Sequence, residues 1–249
     1  MRLETERLYF RHWNMDDKEQ LFEMAKDPDI GYRCGWPAHK TIEDSIETIN
    51  TVFTGKENYA ICLKETDEPI GCIDLMFNRD TEDECELGYW LGRAYWGKGI
   101  MPEAAKEMIR HGFEDLKVSK IWCGYYEGNE QSKRVQEKLG FAFFEKKENV
   151  EVKLLNEVRT DYVNLMTKED WEAKYKEQTM ITEEDIKRIN ELYHKSQNEG
   201  LTDAEKEEQQ NLRKAYIEAM RGNIKSQLDS IVVQRPDGTR EKLKRKKKK

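Results

Sequence analysis

The sequence predicts an α/β protein of the α+β kind: a mixed sheet flanked by helices, followed by a C-terminal two-helix hairpin. Three observations predict it. Segments of period-two hydrophobicity and segments of helical spacing follow the order β-α-α-β-β-β-α-β-α-β-β, which is not a doubly wound pattern. A strand over residues 87–91 runs through the glycine turn Trp96-Gly-Lys-Gly-Ile100 into an amphipathic helix. Charge divides the chain. Residues 1–178 carry 26 basic and 37 acidic side chains, net −11, whereas residues 179–249 carry 17 and 13, net +4, as expected of two units of different origin.

In order, Leu8, Phe10 and His12 alternate with Tyr9 and Arg11 in a first strand over residues 6–13. Asp16-Asp-Lys-Glu opens a helix with Leu21, Phe22 and Met24, and Asp27-Pro-Asp-Ile-Gly31 breaks it. Residues 31–40 read as an irregular aromatic loop and a candidate substrate wall. Thr41 and Asp44 form a capping box for a helix with Ile42, Ile46, Ile49 and Phe53. Residues 59–63 and 70–77 alternate on either side of a Glu65-Thr-Asp-Glu-Pro69 turn, so they pair as a hairpin.

The stretch from Glu86 to Ala105 follows. Leu87, Tyr89 and Leu91 alternate with Gly88 and Trp90. Pro102 suits a first helical position, and Ala104, Ala105, Met108, Ile109 and Phe113 recur at helical spacing. Gly97 and Gly99 let an anion approach backbone N–H groups at a helix N-terminus, which is a phosphate cradle. The spacing matches neither the P-loop nor the dinucleotide fingerprint. A strand over 120–126, a helix from Asn129 ended by Gly140, and strands from Phe141 and up to Met166 complete the sheet. Thr167 and Asp170 then cap a short helix through Trp171.

Composition narrows the function classes. No apolar run approaches a membrane span and no signal peptide precedes Leu3. The five cysteines show no C-x-x-C pair and the four histidines are dispersed. The expectation is a cytoplasmic protein with reduced thiols, no metal and no membrane partner.

Two segments, residues 89–105 and the run Asn129-Glu-Gln-Ser-Lys-Arg-Val-Gln-Glu-Lys-Leu-Gly-Phe141, resemble the GNAT acyl-CoA N-acyltransferases. The opening Leu3-Glu-Thr-Glu-Arg-Leu-Tyr-Phe-Arg11 resembles the branch named for ribosomal-protein-alanine N-acetyltransferases, and the likeness covers residues 1–175. It implies a mostly antiparallel sheet of that type, with acetyl-CoA as cosubstrate in a splay between the strands at 87–91 and 120–126. The family pattern Gln/Arg-x-x-Gly-x-Gly/Ala falls on Trp96-Gly-Lys-Gly-Ile-Met101. Only Gly99 obeys it, and Met101 replaces a small residue. The cradle survives this departure because its donors are backbone amides.

The resemblance places the pyrophosphate on the amides of Gly97, Lys98, Gly99 and Ile100, beside Trp96. It pairs the pantetheine with the backbone of Tyr89 and Leu91, like an added strand, with Asn129 also holding pantetheine. One of those N–H groups would polarise the thioester carbonyl. An alkylammonium has a pKa of ~10, so the acceptor amine needs a base or a water relay. Glu86, at the start of the strand carrying the thioester, is the chosen base, with Asp74 second. The ordinary alternative is a solvated strand-edge glutamate. Relatives place a tyrosine seven residues after the motif's Asn. Here that position is Gln136, which is no acid, so Ser132 is the candidate donor to the leaving thiolate, with helix capping as its other role.

Downstream, Thr182 caps a helix with Ile186, Ile189 and Tyr193, and Thr202 with Glu205 caps a longer one with Leu212, Tyr216, Ala219 and Met220. This part resembles the YnzC-like family of small bacterial proteins through Ile189-Asn-Glu-Leu192, residues 202–208, Gln210-x-Leu-Arg213 and a Pro-x-Gly ending. The domain expectation is 1–177 for the acyltransferase, 180–241 for the hairpin with a short extended end, and 242–249 for a basic, disordered tail. The leading function is N-acetyl transfer to a primary amine, on a small molecule or a protein N-terminus, by direct attack in a ternary complex. The alternatives are a non-catalytic acyl-CoA sensor and a nucleic-acid or ribosome-associated factor acting through the C-terminal unit. Self-association through the hairpin is the expected role of its apolar stripe.

Overall fold

A computed structural model describes residues 3–77, 81, 83–175, 182–230, 232–234 and 240–242. The chain separates into two compact units, Met1–Trp171 and Glu172–Lys249.

The first unit is built on a seven-stranded sheet in the order β1-β2-β3-β4-β5-β7-β6. Its strands are β1 (Leu8–Arg11), β2 (Asn58–Leu63), β3 (Pro69–Phe77), β4 (Glu84–Leu91), β5 (Lys120–Tyr126), β6 (Ala142–Val152) and β7 (Glu157–Thr167). Every neighbouring pair is antiparallel except β4 and β5. One face carries the cluster of Tyr9, Trp13, Leu21, Met24, Ile49, Ala60, Cys62 and Cys72, supplied in part by α1 (Lys18–Ala25) and α3 (Ile42–Thr51). The other face packs against α4 (Ile100–Arg110) and the π-helical turn His111–Leu116 that extends it; the space above Gly112 is closed by Ile121 and Leu75. Beside α4 lies α5 (Glu130–Leu139), and α6 (Lys168–Tyr175) follows β7.

The structure departs from the sequence pattern at two helix starts. The segment that reads as a helix break and an aromatic loop contains α2 (Pro28–Cys34). Asp27 caps it by accepting from the Asp29 N–H, Pro28 supplies a first position that needs no donor, and Gly35 ends it in the left-handed region at φ 84°. The same Asp-Pro pair thus stops one helix and starts the next. The helix after the glycine turn begins at Ile100 rather than Pro102. Gly99 at φ 71° is its cap, which leaves Pro102 in the third position, where its missing N–H is still no loss.

The second unit contains α7 (Glu183–Asn198) and α8 (Asp203–Ser230). Thr182 and Asp185 form a capping box, Thr202 and Glu205 exchange the equivalent bonds, and Gly200 turns the chain at φ 80°. Leu192 is fully buried, and Arg188–Glu208 and Lys195–Glu205 tie the helices together. The pair β8 (Val232–Gln234) and β9 (Arg240–Lys242) is antiparallel. The turn expected at Pro236–Gly238 and the basic tail beyond Lys242 lie outside the described residues. No helix among the described residues is long and apolar enough to cross a membrane.

Candidate active site

The central feature is a parting of β4 and β5. They pair in parallel at Glu84↔Lys120, Cys85↔Ile121 and Glu86↔Trp122, and then diverge. The Gly92 N–H donates to the Ile70 carbonyl, so residues of that parity bond to β3. The backbone groups of Leu87, Tyr89 and Leu91 therefore point toward β5, into the space that opens beyond Glu86. Two carbonyls there are engaged. The Cys123 thiol donates to Leu87 (3.3 Å), and the Trp96 indole N–H donates to Leu91 (2.8 Å). That leaves both groups of Tyr89 and the N–H of Leu91 turned into the cleft. Trp96 is thus the residue that closes the Leu91 carbonyl to a ligand.

The cleft has a volume of about 550 Å³. Glu86, Tyr89, Leu91, Trp96, Gly97, Gly99, Ile100, Asn129 and Ser132 all line it. Lys98 does not; its ammonium lies over the Tyr95 ring, 5.6 Å from the centroid. At one end, Gly97 and Gly99 adopt φ 73° and 71°. A Cβ at Gly97 would meet nothing within 4 Å, and one at Gly99 only Arg7 Nη2 at 3.8 Å, so the cradle is open as well as left-handed. Arg7, which pairs with Glu103 and donates to the Lys98 carbonyl (3.2 Å), places a cation there that the sequence did not reveal.

The two faces of β4 serve different ends of the cleft. Tyr89 projects toward α5, where its hydroxyl lies 2.9 Å from Ser132 Oγ. Asn129 caps α5, its Oδ1 accepting from the Ser132 N–H at 3.3 Å. Gln136 is fully buried. Its Nε2 donates to the Gly124 carbonyl and to Ser132 Oγ, both at 3.1 Å, and its Oε1 accepts from Asn164 at 2.6 Å.

Glu86, Gly88 and Trp90 face the other way, toward α1 and α2, with Trp90 set between Trp13 and Trp36. Two glycines open this face. A Cβ at Gly88 would collide with the Asp74 carboxylate, and one at Gly124 would lie 3.2 Å from Asp161 Oδ1. Asp74 is held by Asn58 (3.2 Å) and does not line the cleft, whereas Asp161 does. Burial raises all three carboxyls, Asp74, Glu86 and Asp161. For Glu86 the neighbouring charges of Asp161 and Asp74 raise it further, although water still reaches it through the cleft mouth. Asp161 was invisible from sequence because only the β5–β7 register, Tyr126↔Asp161, brings it here.

Across this end lies α2, strapped at both ends. Arg93 pairs with Asp27 and Asp29, while Arg159 sits 3.8 Å above the Tyr32 ring and donates to the Tyr32 carbonyl. Ile30, Arg33 and Cys34 of this helix line the cleft, whereas the aromatic residues of the segment, Tyr32 and Trp36, do not, so the wall here is not the aromatic one the sequence suggests. A second, polar cavity of about 640 Å³ adjoins it, sharing Arg33, Tyr126 and Asn129. Among the described residues no group of His, Cys, Asp and Glu could hold a metal ion.

Comparison with known proteins agrees with this geometry. Residues 7–142 match the family described as acetyltransferase (GNAT) domain, and residues 184–244 match a bacterial protein family of unknown function, DUF896. An uncharacterized N-acetyltransferase, p20, of Bacillus licheniformis is 31% identical over 144 residues, covering 56% of this chain and 81% of its own. A UPF0291 protein of Lachnospira eligens is 57% identical over 60 residues, 24% of this chain and 71% of its own. The solved structure of a GNAT-family acetyltransferase from Bacillus anthracis superposes with a TM-score of 0.62 at 25% identity, over 68% of this chain and 99% of that one. A parted β4–β5 pair, a glycine cradle opening α4 and these matches lead to one conclusion: the chain belongs to the GNAT acetyltransferases, with a UPF0291-type unit fused behind the catalytic fold.

Proposed function

We propose that the protein transfers an acetyl group from acetyl-CoA to a primary amine, by direct attack in a ternary complex. The carrying observation is that the unclaimed backbone groups of Tyr89 and Leu91 and the carboxylates of Glu86 and Asp161 open into one cleft. In this reading Gly97, Lys98, Gly99 and Ile100 hold the diphosphate with backbone N–H groups, and Arg7 adds charge. Tyr89 and Leu91 hold the pantetheine as a neighbouring strand would, and Asn129 positions it from the cap of α5. A backbone N–H in the opening stabilises the oxyanion.

The acceptor enters from the α2 side, where its ammonium meets Glu86 and Asp161. Glu86 takes the proton. Its raised carboxyl lies closer to neutrality than an ordinary glutamate, which makes it a better base. Ser132 faces the departing sulfur, and the polar cavity beyond Arg33 receives the rest of the acceptor. The test is to incubate the full chain with acetyl-CoA and a panel of small amines, aminoglycosides and peptides with free N-termini, following coenzyme A release with a thiol reagent. Release with at least one acceptor is the expected result; neither release nor acetyl-CoA binding would remove the reading.

The unit ending at Trp171 contains the sheet, the cradle and α5, and Trp171 itself packs on Phe113 with ring centroids 5.6 Å apart. A chain ending at Glu177 should therefore bind acetyl-CoA with the affinity of the full chain and show a lower oligomer mass, because α7 and α8 leave Ile186, Tyr193 and Tyr216 exposed. Calorimetry and light scattering on the two chains check this. Loss of cofactor binding on truncation would mean that the second unit completes the site.

A further inference from the structure

The family's tyrosine position holds Gln136, yet a tyrosine hydroxyl still reaches α5, from a different strand. Ser132 Oγ has one proton and two lone pairs. Gln136 cannot accept from the serine through Nε2, because Asn164 donates to Gln136 Oε1 and so fixes the amide with Nε2 as donor. One lone pair of Oγ therefore receives Gln136. The Tyr89 hydroxyl lies 2.9 Å from Oγ and 3.4 Å from the Ser132 carbonyl; either oxygen can donate across the shorter contact, and the phenol fills the second lone pair once the serine proton is given to an acceptor in the cleft. In that arrangement two donors converge on the serine oxygen, and its own proton is the one given to the cleft. Ser132 lines the cleft, where such an acceptor would lie.

We infer that Tyr89 is a positioning residue. Its phenol and Gln136 together saturate Ser132 Oγ and commit the serine hydroxyl to donate a hydrogen bond to the sulfur that leaves acetyl-CoA. This rests on the acetyl-transfer reading above. When the carbon–sulfur bond breaks, its electron pair stays on sulfur, and the thiolate is held by the Ser132 hydroxyl. No proton needs to leave Tyr89, and burial holds its phenol well above the usual tyrosine range, so it stays a neutral donor throughout the neutral pH window. The device replaces a single acid with a fixed hydrogen-bond chain, Asn164 to Gln136 to Ser132, closed from the other side by Tyr89.

The test compares Tyr89→Phe, Ser132→Ala, Ser132→Thr and the double Tyr89→Phe/Ser132→Ala in the full chain, with an acceptor found in the panel. Tyr89→Phe should lower kcat about tenfold, the value of one hydrogen bond felt in the transition state, and leave KM for acetyl-CoA within about twofold. Ser132→Ala should lower kcat at least as much, and Ser132→Thr should keep most of the activity. The decisive arm is the double variant, which should be no slower than Ser132→Ala alone, because Tyr89 acts only through that hydroxyl. The ratio of wild-type to Tyr89→Phe rates should stay flat across neutral pH. Multiplying effects in the double variant, or a Tyr89→Phe defect confined to KM or melting temperature, would overturn the inference while leaving acetyl transfer standing. A wild-type chain that binds no acetyl-CoA and acetylates no amine would overturn both.

Discussion

Gly99→Glu is expected to weaken acetyl-CoA binding by a factor of about a hundred or more, a loss of ~2.7 kcal/mol or greater, while the chain stays folded. Gly99 caps α4 at φ 71°, and a Cβ there meets only Arg7 at 3.8 Å. Volume is therefore not the obstacle to folding. The left-handed backbone costs an L-residue about 1–2 kcal/mol, which Gly99→Ala would report by itself. The glutamate adds a negative charge at the helix N-terminus, where the proposed complex sets the diphosphate on the N–H groups, and it can take the Arg7 guanidinium away from that anion. Calorimetric titration of both variants separates strain from charge. A folded Gly99→Glu protein with unchanged affinity would place the diphosphate elsewhere.

Glu86→Gln should lower kcat by about a hundredfold or more, as expected on removing a general base, and should at the same time raise the melting temperature at neutral pH. The opposite signs have one cause. Burial first, then Asp161 and Asp74, raises the Glu86 carboxyl. The folded state thus holds this proton more tightly than the unfolded chain does. Below the ordinary carboxyl pKa of 4.5 both states are protonated and the side chain carries no charge penalty. As pH rises through the window between that value and the raised one, wild type loses stability, and the loss persists above it. Glutamine escapes the penalty. The melting-temperature gain should be absent in acid and present at neutrality, by scanning calorimetry at the two conditions. In the kinetics, wild type should lose kcat/KM as pH falls through the raised Glu86 pKa. Asp161→Asn should move that limb to lower pH, since of the two carboxylates Asp161 raises Glu86 the more. A rate unchanged by Glu86→Gln would leave proton removal to water or to Asp161.

Much of the frame is legible in the chain because its causes are local. Thr41 with Asp44, Thr167 with Asp170, Thr182 with Asp185, and Thr202 with Glu205 each form their bonds within three residues, so sequence spacing suffices to find them. The period-two runs of β2, β3 and β4 are read the same way. The α2 helix is not legible in the sequence because Asp27-Pro28 is at once a stop and a start, and local chemistry does not choose between them. The site was legible only along β4 and its glycine turn. Tyr89 and Ser132 are 43 residues apart, and Gln136 and Asn164 are 28 apart. Which of their polar atoms meet depends on strand register, where a slip of one residue turns each side chain to the opposite face. Asp161 is brought over Gly124 by the same register, and nothing in its neighbours Thr160 and Tyr162 marks it.

The parting of β4 from β5 also bears on how open strand backbone can be kept from pairing with other chains. Unpaired strand backbone is the usual template for aggregation, since any extended chain can add to it. Here the unpaired stretch is recessed in the middle of a sheet, between α5 on one face and α2 on the other, with the Trp96 indole stopping one end. A whole foreign strand, with side chains on both faces, does not fit such a slot. A slender chain of amides without side chains does. If the proposed pantetheine binding holds, the shape that admits the cosubstrate is also the shape that refuses another polypeptide, and open backbone is kept from the protein's own unfolded copies.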